Sequence, residues 1–151
     1  MAARPITNTQ EEPDMAKYLI LKHYNDNGLP EPCGFAPMHE WSADDIDAHI
    51  QYQLDTQKML RDRGELVDAQ AAAPTGNWVR YGGPGAKPEV LDGPFPETKE
   101  LIAGWFLIDV ESEERAHEVA AYVSKAPGKD GQPIFEWLEV RPMMAMPDSF
   151  E

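Results

Sequence analysis

The stretch Leu101–Pro127, LIAGWFLIDVESEERAHEVAAYVSKAP, sets the architecture of the chain. Leu101 to Val110 is its most apolar run, and apolar residues at both parities read as a central strand covered on both faces. Ser112 follows in the place of a helix N-cap, and Glu113 and Glu114 suit the positive end of that helix. Ala116, Val119, Ala120 and Val123 then recur at i, i+3, i+4 and i+7, one apolar stripe on a polar helix. Pro127 and Gly128 stop it. A buried strand feeding a one-sided helix predicts helices lying on one face of a sheet.

The same pattern stands upstream. KYLILKHY, Lys17 to Tyr24, is short, rich in β-formers and bounded by NDNG, which reads as a first strand. Ser42 and Asp45 have capping-box spacing, and Trp41 and Ile46 occupy the staple positions, so a helix is expected from Ala43 to about Arg63, stopped by Gly64. ELVDAQAAA is a weaker second strand. NWVRYGG and PEVLDG are expected to form a hairpin around GGPGAKP, and IFEWLEVRP, Ile134 to Pro142, closes the chain as a last strand. The order β-α-β-(hairpin)-β-α-β predicts an α+β fold, a ferredoxin-like βαββαβ sandwich with an extra hairpin. Two helices cover one sheet face. The other is left to Trp78, Trp105, Phe135 and Trp137, and a homodimer is the simplest way to bury it. Residues 1–14 read as a flexible arm, 15–143 as the domain and 144–151 as a tail.

At 151 residues the chain fits a single domain with one core. The formal charge of −14 argues against a nucleic-acid partner, which needs clustered Lys and Arg, and against an anionic membrane surface. No apolar run approaches the roughly 18 residues of a membrane span. The polar first residues lack a signal-peptide core, and a cytoplasmic location is expected. Cys33 is the single cysteine, so neither an internal disulfide nor a zinc site follows from it.

The first helix carries the chemistry. Its apolar residues Ile46, Ile50, Leu54 and Leu60 define the face expected to be buried, and His49, Gln53 and Gln57 run down the middle of it. Each polar group would cost on the order of 1–3 kcal/mol if buried without a partner. Two explanations stay open: His49 bonds a backbone carbonyl while the glutamines lie at the sheet margin, or the helix lines a polar cavity. Asp92 opens LDGPFPETKE, where Gly93 permits an unusual bend and Pro94 fixes the next one. Such a bend holds a carboxylate at a strand end, or serves only an Asx-turn. A carboxylate beside His49 would orient the imidazole and raise its pKa. His23 shares a strand face with Leu19 and Leu21, His117 falls off the apolar stripe, and His39 lies in a loop. The four histidines have no metal-ligand spacing, GGPGAK lacks the ending of a phosphate loop, and no G-x-S-x-G elbow is present.

DGPFPETKE, with GWFLIDVESEERAHEVAAYVSKAP behind it and LEVRPM at the close, resembles the YCII-related family in its DGPF-type branch. The resemblance runs from about Lys17 to Met143, taking in KYLILKHY and HIQYQLDTQKMLRDRGEL. The polar N-terminal arm, the long loop from Asn25 to Glu40 and GKDGQPIFEW depart from the family pattern. Membership implies a dimeric ferredoxin-like α/β barrel and a site built from a histidine and an aspartate. On that basis His49 is the expected base and Asp92 its orienting carboxylate, with Gln53, His23, Phe95 and Trp105 around a small-molecule ligand and no cofactor. Isomerisation, elimination or lactone chemistry suits such a pair. A non-catalytic ligand-binding or accessory protein, linked to transcription regulation, is the second reading.

Overall fold

Four antiparallel strands form the main sheet of the computed structural model, which describes residues 15–24, 36–93 and 102–145. The N-terminal arm, Cys33, Phe95 and residues 146–151 of the tail lie outside the described residues. β1 (Ala16–His23) pairs with β5 (Ile102–Val110) on one side and with β6 (Glu139–Pro142) on the other. β2 (Leu66–Ala71) pairs with β5, giving the order β2-β5-β1-β6, the strand order of a ferredoxin-like sheet. The strand period sends Ile20, Phe106, Ile108 and Val110 to one face. There they pack against Leu60 of α1 (Ala43–Asp62) and the full predicted stripe of α2 (Glu113–Ser124). Full burial of each large apolar side chain contributes about 1.5–3 kcal/mol, so this layer dominates the fold's stability.

Both helices begin where the sequence places them. Ser42 Oγ accepts from the Asp45 amide and Asp45 Oδ2 accepts from the Ser42 amide, each at 3.1 Å. Ser112 Oγ accepts from the Arg115 amide at 3.0 Å.

The face that α1 turns inward differs from the expected one. Ile50 and Leu54 are about half exposed, and the buried residues are His49, Thr56 and Leu60. The inward arc is therefore centred near His49, and the apolar stripe of Ile50 and Leu54 looks outward. Local hydrogen bonds explain why polar residues can take the buried positions. The Thr56 hydroxyl donates to the Tyr52 carbonyl at 2.8 Å, and Tyr52 stacks on Tyr122 of α2 while its hydroxyl donates to the Tyr122 carbonyl. Burial pushes the Tyr52 hydroxyl up to about 12, which keeps it a neutral donor.

β3 (Asn77–Arg80) and β4 (Glu89–Asp92) form the expected hairpin as a separate two-stranded sheet, exposed along its whole length. Gly82 is required in its loop, because a Cβ there would fall 2.0 Å from the Lys87 carbonyl oxygen. Trp78 therefore sits on the hairpin and does not share the main sheet's outer face with Trp105. Phe135 and Trp137 precede the last strand, which is shorter than expected. Phe135 takes φ 54, and its amide donates to the Ser124 carbonyl, so the chain stays off the ladder until Glu139.

Candidate functional site

His49 lies on the second turn of α1, 7% exposed, against the edge of Trp41 with ring centroids 5.3 Å apart. Its Nδ1 is 2.9 Å from the carbonyl oxygen of Pro127. A carbonyl only accepts, so Nδ1 carries the proton and Nε2 is the basic nitrogen of the neutral ring. The Gln53 amide nitrogen, one turn on, approaches Nε2 at 3.4 Å, a long contact of matching polarity. Burial lowers the His49 pKa, the nearby positive charge of Lys22 lowers it further, and the Pro127 carbonyl opposes both. The ring is neutral at pH 7.

The Pro127 carbonyl is positioned by the loop of residues 125–138, which doubles back on the end of α2. The Ile134 amide donates to the Ala126 carbonyl at 2.9 Å, the Phe135 amide to the Ser124 carbonyl at 2.8 Å, and the Gly128 amide to the Gln132 carbonyl at 2.7 Å. Gly128 lies between Ile134 and Trp41, where a Cβ would come within 2.9 Å of Ile134 and 3.1 Å of Trp41. The indole behind His49 is thus packed directly on this loop. A hollow of about 240 Å³ flanks the loop on the side of Ala36, Lys129 and Phe135.

Two charged residues were missed in the sequence: Lys22, whose charge reaches His49, and Glu136, which pairs with Lys22. Lys22 continues the helix-facing row of β1 after Tyr18 and Ile20, and Glu136 lies in the loop opposite it. Their side chains are 17% and 8% exposed, and Lys22 Nζ is 3.4 Å from Glu136 Oε2. That oxygen is buried and has no close hydrogen bond among the described residues. The separation is an electrostatic contact, longer than the usual charge-assisted bond of about 2.7–2.9 Å. Burial raises the Glu136 pKa and Lys22 moderates the rise. A signal for both was present. Lys22 is in phase with Tyr18 and Ile20, and Glu136 with Ile134, Leu138 and Val140, so a cation and an anion each interrupt a row due for burial.

The other expected site residues are distributed elsewhere. His23 follows Lys22 on β1 and points to the opposite sheet face, with Nε2 3.1 Å from Glu139 and Nδ1 buried without a hydrogen-bond partner among the described residues. Trp105 shares that face, directly opposite Leu21, and donates its N–H to Asp68 at 3.1 Å. Asp92 ends β4 on the exposed hairpin, paired across the ladder with Asn77. Within one chain the acceptor that orients His49 is the Pro127 carbonyl, and no hydrogen bond joins His49 to Asp92 among the described residues. The structure brings together His49 and Gln53 and leaves His23 and Trp105 on the far side of the sheet. No group of His, Cys, Asp or Glu among the described residues is arranged to hold a metal ion. No helix among them is long and apolar enough to cross a membrane.

Residues 16–138 match the family model of the YCII-related domain. Over 103 residues the chain is 29% identical to an uncharacterized protein of Rhizobium meliloti, a match covering 68% of this chain and 79% of that protein.

Proposed function

Starting from a chain that belongs to the YCII-related domain family, we propose a small-molecule-binding protein whose acid–base centre is His49. The observation that carries this is the bond from Nδ1–H to the Pro127 carbonyl. It fixes the tautomer with Nε2 as the basic nitrogen, and burial together with the Lys22 charge keeps that nitrogen unprotonated near neutral pH, the state a general base needs. In the forward step Nε2 takes a proton from a carbon or oxygen of the ligand, and the electron pair stays on the ligand. The resulting imidazolium donates from both nitrogens and returns the proton in the second half of an isomerisation, an elimination or a lactone opening. The reaction as proposed draws on no cofactor.

Asp92 and a homodimer belong to the same proposal. The hairpin that carries Asp92 exposes Val79 and Val90 on the same face, and Trp78 and Leu91 on the other. A lone two-stranded hairpin is at best marginally stable in water, which favours a second copy covering it. Asp92 would then serve a site completed by that copy.

The test is an NMR titration of His49 in the wild type and in Asp92→Asn. A carboxylate brought to the ring in the dimer raises the His49 pKa, so the variant should titrate lower than the wild type. Identical titrations remove Asp92 from the site. A second reading, non-catalytic ligand binding, is favoured by the half-exposed Ile50 and Leu54 on the same helix. It predicts that His49→Gln changes ligand affinity without abolishing any turnover.

A further inference from the structure

We infer that Lys22 is the anchor for a carboxylate on the ligand, and that Glu136 competes with that ligand for it. The inference rests on reading His49 as the centre of the site and adds the chemical class of what binds there.

The argument begins with the strand. Lys22 is the only lysine in the helix-facing row of β1, where its neighbours Tyr18 and Ile20 pack on the core. An ammonium has three donors, and the acceptor near it among the described residues is a glutamate oxygen at 3.4 Å. Glu136 is more than nine-tenths buried, and its Oε2 lacks a close donor among the described residues. A buried ion pair offsets its desolvation only with close geometry and additional hydrogen bonds. Among the described residues this pair is long, and Glu136 Oε2 has no hydrogen-bond partner.

A loose, under-bonded pair suits a site whose cation is shared with an outside anion. The group that Lys22 faces within the chain is a carboxylate, so the anion matching its surroundings is also a carboxylate. The groups that bear on it are His49 from α1, whose ring feels its charge, and Glu136 from the 125–138 loop, while Gln53, Trp41 and the Pro127 carbonyl contact the His49 ring. His49, Gln53 and Trp41 are neutral at pH 7. Glu136 is the anionic competitor among them. A bound carboxylate would also cancel the positive charge that now disfavours the His49 imidazolium, so the base would become stronger when substrate arrives. A carboxylic acid with an ionisable proton near its carboxylate is the substrate class that an anchored anion and a neutral base serve together.

The experiment uses the full chain, ¹⁵N-labelled, titrated with acetate and pyruvate and, in parallel, with acetamide and pyruvamide. The carboxylates should give saturable shifts at the His49 ring and the Lys22 amide and raise the His49 pKa, whereas the amides should do neither. Lys22→Met should weaken carboxylate binding at least tenfold, and Lys22→Arg should retain most of it. Glu136→Gln removes the competitor and should tighten binding several-fold, a readout that stands even if Lys22→Met does not fold. Lys22→Met should lose carboxylate binding while its His49 ring still titrates, now at a higher pKa because the nearby positive charge is gone. That separates failure of the anchor from failure of the base. Amides binding as well as carboxylates, no carboxylate binding at all, or unchanged affinity in Glu136→Gln would each overturn the inference.

Discussion

Glu65 and Glu136 are both buried glutamates, and they stand at opposite ends of the sheet. Glu65 precedes β2, and its carbonyl accepts from the Asp109 amide near the end of β5. Its carboxylate receives Arg115 Nη2 at 2.9 Å, Arg115 Nε at 3.0 Å and Arg63 Nε at 3.0 Å. Burial works to raise its pKa, but the guanidinium hydrogen bonds prevail and it is lowered. Glu136 has one ammonium at 3.4 Å, and burial prevails. Two carboxylates of like solvent exposure thus move in opposite directions, because Glu136 is set deeper among protein atoms and has one distant donor where Glu65 has three close ones. The Glu65 end is fully bonded and ties β2 to α2. The Glu136 end keeps unused hydrogen-bonding capacity beside the candidate base.

The contrast can be broken by mutation. Arg115→Met leaves Glu65 buried with only the largely exposed Arg63, and removing one partner of a buried pair costs about 3–5 kcal/mol. Urea denaturation should register this as the largest loss of any single change considered. A loss below 1 kcal/mol would place Glu65 with Glu136 as a weakly held group.

At the other end, Lys22→Met should cost less, about 1–3 kcal/mol, because the pair it breaks is loose. Adding Glu136→Gln to it should recover stability, since the double variant removes both buried charges. A double variant no more stable than the single one would mean that Glu136 gains its donors elsewhere.

The pH dependence sharpens the same point. The folded-state pKa of His49 lies below its ordinary 6.5, so at falling pH the unfolded chain binds a proton before the folded chain does. The stability that His49 contributes is present above pH 6.5 and is lost as pH falls towards its folded pKa. Glu136 has the opposite sign. Its folded pKa lies above 4.5, so its contribution is present below pH 4.5 and is lost as pH rises through the folded value. Melting temperatures across pH 4–8 should show a weaker acid fall in His49→Gln and a weaker decline towards neutral pH in Glu136→Gln. The smallest effects belong away from both ends. Ser42→Ala should cost about 1 kcal/mol through loss of the cap. Deleting residues 1–14, polar and without apolar periodicity, should leave the melting temperature nearly unchanged.

The parts of the fold legible in the sequence were those set by local rules. The Ser42 and Ser112 caps, the stripe from Ala116 to Val123 and the apolar run before it each determine their own element within one or two turns. From those elements the ferredoxin-like order followed. The phase of α1 was not legible, because it depends on partners distant in sequence: Tyr122 for Tyr52 and Pro127 for His49. An apolar wheel counts Ile50 and Leu54 as inward, whereas the bonds open to Thr56 and His49 turn the helix the other way. His49 was singled out correctly as a polar residue facing inward. Its acceptor was not, because a backbone carbonyl leaves no mark in residue identity. Lys22 and Glu136 were visible as charges within buried rows. Finding them required treating a charge in phase with Ile20 as an observation and not as a strand end.

The 125–138 loop supplies both the carbonyl that fixes the His49 proton and the carboxylate that faces Lys22. These two functions are therefore mechanically yoked. A displacement of the loop that lengthens one contact shifts the other as well, through a backbone already bonded to the end of α2. An event at the surface of α2 thus has a short lever to the ring nitrogen, with Gly128 and Trp41 as its fulcrum. Under the proposed function, substitutions in this loop or at the end of α2 would alter the site without touching any of its polar atoms.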